Sequence, residues 1–166
     1  MPWRRRSVLS VYQRMTTNGH VVRLQFCSAF DMLDFVQVVS DHLCKRLGFD
    51  EDSMHWVSVA IRESVINAIK HGNRNDAAKH VFVEFETATK GDIPEIAIRV
   101  RDQGEGFDPD AVANPLDEEN LLKSSGRGIF LIRNFMEDVE LQRAPQGGME
   151  LRMVKRVQPA DGSEPA

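Results

Sequence analysis

Three short segments of this 166-residue chain carry residue types that do chemistry together. In the first, Glu63, Asn67 and His71 recur at i, i+4 and i+8 within a stretch of helical periodicity. Each is rotated by only about 40° from the last, so the three share one face, away from the Ile61/Val65 stripe. A carboxylate accepts a proton or orients water, an amide oxygen ligates Mg²⁺, and an imidazole meets phosphate, so the trio suits a metal–phosphate complex. Read without function, the same face is the polar side of an amphipathic helix.

The second segment, Ile96-Ala-Ile-Arg-Val-Arg-Asp102-Gln-Gly104-Glu-Gly106, is an apolar strand that delivers a carboxylate into a turn with two glycines. Glycines there let the backbone approach a flat ligand with no Cβ in the way. A calcium loop fits poorly, because Gly104 stands where a ligand is expected and no closing Glu follows at the right distance. A dinucleotide fingerprint fails because Pro109 replaces its third glycine. The third segment, Lys123-Ser-Ser125-Gly126-Arg127-Gly128, directly precedes a predicted helix. Backbone N–H groups exposed there form an anion site, to which Lys123 or Arg127 adds positive charge. No Gly-x-x-x-x-Gly-Lys-Ser/Thr run is present, so this is not a P-loop.

Periodic elements must hold these segments. Val21-Val-Arg-Leu-Gln-Phe26 reads as a first strand. From Ser28, a predicted N-cap, Phe30, Leu33, Val36, Val39, Leu43 and Leu47 mark an amphipathic helix that stops at Gly48. Asp50 is expected to cap a second helix with a stripe of Met54, Val57, Ile61, Val65 and Ala68 or Ile69, ending near His71-Gly72-Asn73. Residues 81–85 and 93–100 read as strands joined around Lys90-Gly91-Asp92. Residues 104–128 lack periodicity, as a binding loop or lid does. A short helix over 127–136 and a hairpin of 137–143 with 149–155, turned at Pro145-Gln-Gly-Gly148, complete the pattern. The expected organisation is a flexible arm over 1–19, one domain over 20–157 and a disordered tail over 158–166. The element order implies an α+β, two-layer α/β sandwich, a mostly antiparallel sheet covered on one face by helices.

Lys and Arg number 21 against 25 Asp and Glu, a net charge of −4 that gives no general attraction to nucleic acid or anionic lipid. No apolar run approaches the ~20 residues of a membrane span. The basic start, Met1-Pro-Trp-Arg-Arg-Arg-Ser7, is broken by charge before an apolar export region forms. Cys27 and Cys44 lack metal-ligand neighbours and read as small core residues of a protein in a reducing, cytoplasmic compartment.

Together the three segments resemble the GHKL (Bergerat-fold) ATPase superfamily, and within it the anti-sigma factor serine/threonine kinases of bacterial partner-switching systems. Glu63-Ser-Val-Ile-Asn67-Ala-Ile-Lys-His71-Gly72 is similar to the N box, Asp102-Gln-Gly-Glu-Gly-Phe107 to the first glycine box, and Gly126-Arg-Gly-Ile-Phe-Leu-Ile-Arg-Asn-Phe-Met136 to the second. The resemblance implies a Bergerat fold with an ATP lid, and ATP and Mg²⁺ as ligands. It implies that Asn67 ligates the metal, that Asp102 accepts from the adenine amino group beside Gly104 and Gly106, and that His71, Lys123, Ser125, Gly126, Arg127 and Gly128 complete the nucleotide site. Glu63 becomes the general base that activates a partner's serine. The implied partners are a sigma factor and a STAS-domain antagonist, with a homodimer as a family expectation and no direct nucleic acid or membrane contact. Ser124 and Met149 depart from the arginine and threonine common in such kinases. Two alternatives follow: an ATP-binding anti-sigma regulator with little kinase activity, and a detached histidine-kinase catalytic domain. The second lacks a phosphoacceptor, since His42 has no acidic residue and proline after it.

Overall fold

The computed structural model describes residues 9–16, 18–106 and 124–159. Six strands, β1 (Ser10–Thr16), β2 (Gly19–Cys27), β3 (His80–Lys90), β4 (Ile93–Arg101), β5 (Glu137–Arg143) and β6 (Met149–Arg156), form one sheet in the order β1-β2-β3-β4-β6-β5. Every neighbouring pair is antiparallel. Helices α1 (Leu33–Leu47), α2 (Glu51–Asn67) and α3 (Ser124–Phe135) pack on the sheet. The α+β two-layer arrangement is thus the one the element order implies.

The core forms where alternating strand residues meet the helix stripes. Leu24, Phe26, Val83, Phe85, Ile96, Ile98 and Met153 from the sheet are buried with Val36 and Leu43 of α1, Val57, Ile61 and Val65 of α2, and Ile132 of α3. The predicted stop and the predicted cap are both present. Gly48 closes α1 in the left-handed region at φ 87°, its N–H donating to the Cys44 carbonyl. Asp50 caps α2 by accepting from the Ser53 N–H at 2.7 Å. Cys27 and Cys44 are both free thiols, and Cys44 is buried.

Three boundaries differ from expectation, each for a physical reason. Residues 10–16, expected within a loose arm, form β1, paired with β2 from Ser10↔Gln25 to Thr16↔Gly19. All seven are exposed, so this edge strand has no hydrophobic alternation to betray it. Ser28 does not cap α1; its hydroxyl donates to the Lys79 carbonyl at 3.0 Å, and a 3₁₀ turn at Phe30–Met32 starts the helix. Helix α3 begins at Ser124, so Gly126 and Gly128 lie inside it. Lys123, most of the expected lid, the start of the arm and the end of the tail lie outside the described residues.

Candidate functional site

Helix α2 does not end as an α-helix. After Asn67 the chain widens into a π-turn, Ala68–Gly72, closed by the Asn73 N–H on the Ala68 carbonyl at 2.8 Å. Such insertions recur at functional sites because they redirect the residues that follow. Glu63 and Asn67 stand on the last α-helical turns, both half-buried. Their face meets α3, where a Cβ built on Gly128 would sit 3.0 Å from Asn67 Nδ2 and 3.0 Å from Glu63 Oε2. Only a glycine lets α3 run this close to both groups. At the other end of the same contact Trp56 of α2 stacks on Phe135 of α3, centroids 3.5 Å apart, so the two helices run antiparallel. Lys155 donates to the Phe135 carbonyl at 2.8 Å and fixes that end.

The π-turn carries Gly72 against the end of β4. A Cβ on Gly72 would collide with the carboxylate of Asp102, which is 5% exposed. Asp102 is held by backbone: its Oδ1 accepts from the Gly104 N–H at 2.9 Å and the Met149 N–H at 3.2 Å, and its own N–H donates to the Met149 carbonyl at 3.0 Å. Oδ2 takes no hydrogen bond among the described residues. A second glycine, Gly148 at φ 81°, faces Asp102 from the β5–β6 turn, where a Cβ would lie 2.7 Å from Oδ1. Gly106 packs nearby, its Cβ position 3.3 Å from the Gly148 carbonyl.

The result is a site with two chemically distinct ends joined by one π-turn. At one end an amide and a carboxylate lie side by side; at the other a buried carboxylate keeps one oxygen available between glycines that would clash if they carried side chains. Asn67, Glu63, Asp102, Gly104, Gly106 and Gly128 are therefore brought to this region. His71 is exposed on the π-turn, where the α-helical spacing that aligned it with Asn67 no longer applies. Gly126 lies in the first turn of α3 and Arg127 is exposed there, whereas the Ser125 side chain falls outside the described residues. Arg74 reaches Glu105 at 3.8 Å across the rim, but both are exposed and the pair contributes little.

The amide of Asn67 beside the Glu63 carboxylate is an oxygen donor set that fits Mg²⁺, which takes one or two protein oxygens and leaves the rest to phosphate and water. Among the described residues no group of three or more His, Cys, Asp or Glu could hold a metal by itself. Sequence reasoning missed the parts played by Gly72 and Gly148 beside Asp102. Gly148 reads as a hairpin turn, and only its position opposite the end of β4 shows the second role.

The histidine kinase-like ATPase domain family matches the chain over residues 32–155. An anti-sigma F factor of Oceanobacillus iheyensis is 32% identical over 136 residues, covering 81% of this chain and 90% of the relative. The serine-protein kinase RsbW of Staphylococcus epidermidis is 25% identical over 150 residues, covering 86% and 91%. An anti-sigma F factor of Bacillus licheniformis is 25% identical over 138 residues, covering 82% and 92%.

Proposed function

The chain belongs to the histidine kinase-like ATPase domain family, in its branch of anti-sigma factor serine kinases, and on that premise we propose how its own residues perform the reaction. The protein is an ATP-using serine/threonine kinase and anti-sigma factor. Its proposed protein substrate is a STAS-domain antagonist whose serine takes the γ-phosphoryl group.

The observation that carries this reading is the placement of Glu63 and Asn67 beside Gly128 at one end of the site and of Asp102 between Gly72 and Gly148 at the other. Asp102 is the proposed adenine contact. With Oδ1 committed to two backbone amides, Oδ2 is left to accept from the 6-amino group, a charge-assisted bond of about 1.5–3 kcal/mol. Guanine presents a carbonyl oxygen there and is rejected. Glu63 takes the proton from the attacking serine hydroxyl, a role of roughly 10²–10⁴-fold in rate. Asn67 would hold Mg²⁺ through its amide oxygen, and the ion would neutralise and align the phosphate oxygens. The amides at the start of α3 face the phosphates, with Lys123, Ser125, Gly126 and Arg127 as the proposed contacts and His71 at the rim.

Two free thiols among the described residues accord with a reducing compartment, and the cytoplasm is the proposed location. No helix among the described residues is long and apolar enough to cross a membrane. A homodimer belongs to the same proposal. Incubation with γ-labelled ATP and a purified STAS-domain protein tests the function: label passes to the STAS serine, and Glu63→Gln abolishes transfer while retaining ADP binding. Transfer that survives Glu63→Gln removes Glu63 from the role of base.

A further inference from the structure

The turn that carries Asp102 is fastened from behind by a side chain that reads, in sequence, as no more than a helix terminus. Asn73 is fully buried, at 0% exposure, and each of its polar atoms is engaged. Its Oδ1 accepts from the Gln103 N–H at 2.8 Å, thirty residues along the chain. Its Nδ2 donates to Ser28 Oγ at 2.8 Å and to the His80 carbonyl at 2.9 Å. Gln103 returns a second tie, its Oε1 accepting from the His80 N–H at 2.7 Å. Ending a helix needs only the backbone of Asn73; the reach of its side chain to Gln103 serves something else. Asn73 is the chain neighbour of Gly72, and Gln103 is the chain neighbour of Asp102. One amide therefore fixes both partners of the contact at the proposed base-binding end of the site.

We propose that Asn73 is a positioning residue for base recognition, setting the Asp102 carboxylate against the π-turn so that Oδ2 meets the 6-amino group of adenine. The inference rests on the reading of Asp102 as the adenine contact. A merely structural asparagine would change the amount of folded protein and weaken all nucleotides alike. A positioning asparagine changes the ratio between two nucleotides that differ only in the amino group.

The test is calorimetric titration of the full chain with ADP and with the diphosphate of purine riboside, which lacks that group. The parent prefers ADP by about ten- to a hundredfold. Asn73→Ala brings the preference below about threefold, and Asn73→Ser, whose shorter side chain cannot span to the Gln103 N–H, lowers it in the same direction. Ser28→Ala lowers the melting temperature and keeps the parental ratio. Should Asn73→Ala not fold, Asn73→Ser decides, at a temperature where its melting curve shows it folded. A preference lost in Asp102→Ala but kept in Asn73→Ala or Asn73→Ser overturns the proposal alone. A parent with no preference for ADP overturns it together with the reading of Asp102.

Discussion

Replacing Gly72 with alanine adds one carbon where the π-turn presses on Asp102. The new Cβ would lie 2.7 Å from the Asp102 Cβ and overlap the carboxylate itself, whereas carbon contacts are comfortable only from about 3.5 Å. Asp102 or the π-turn must then move by roughly 1 Å. Rotation of the carboxylate is not a cheap escape, because it breaks the bonds from the Gly104 and Met149 amides, and Gly148 closes another side. Overpacking of this kind costs about 1–3 kcal/mol of stability. Losing the aligned carboxylate forfeits a further ~1.5–3 kcal/mol of nucleotide binding, about ten- to 150-fold in Kd. The assay is ADP titration with magnesium, at a temperature where the melting curve shows the variant folded. Gly91→Ala, in the β3–β4 turn, is the control: its Cβ meets nothing, so it costs about 1 kcal/mol for its left-handed backbone and leaves Kd unchanged. A Gly72→Ala protein that binds ADP within about twofold of the parent refutes the packing argument.

Gly128→Ala should separate stability from turnover. Alanine favours the helix by ~1 kcal/mol, so the melting temperature holds or rises, while the wedge between Glu63 and Asn67 lowers phosphoryl transfer by about ten- to a hundredfold in the labelling assay. Thermal melts against acid pH should fall only below about pH 4 on account of three carboxylates. The Ser53 amide holds Asp50 below the usual range, and Arg156 does so for Asp138. Burial alone would raise Glu84, but the bonds from Arg23 and Arg99 outweigh it and leave it lowered. Each of these groups releases its proton more readily when folded. Their contribution is therefore present above the unfolded pKa and lost as pH falls through the folded one. Cys44 acts in the alkaline direction: burial pushes its thiol up to about 11. Its contribution of about 3 kcal/mol is intact below the unfolded thiol pKa of ~8.5 and lost as pH rises through the folded value. Thiol titration of native protein should show Cys27 reacting promptly and Cys44 only on unfolding.

Much of this architecture is legible in the sequence because burial imposes periodicity. The stripe Val57, Ile61, Val65 announces α2, Asp50 and Gly48 punctuate the helices around it, and the alternation of Val81, Val83 and Phe85 announces β3. Glu63, Asn67 and Asp102 stand out because polar groups at those spacings have chemical uses. What stays hidden has no periodic signal. β1 is exposed along its whole length. The start of α3 is masked by two glycines of a kind that normally weakens helices, of which Gly128 is required by the approach to Glu63 and Asn67. The neighbourhood of Asp102 depends on Gly72, Asn73 and Gly148, which are far from it in the chain and resemble ordinary helix ends and turns. His71 is displaced from its expected alignment because counting by 3.6 assumes a regular helix, and this one widens after Asn67.

That widening gives the protein a fixed ruler. Five residues, Ala68–Gly72, span from the Asn67 amide at one end of the site to the glycine against Asp102 at the other. Removing Ala68, Ile69 or Lys70 would restore ordinary winding and swing everything beyond by about 100°. Asn67 would keep its place while Gly72 left the Asp102 carboxylate, so a chain retaining every chemically active side chain would grip the triphosphate and no longer read the base.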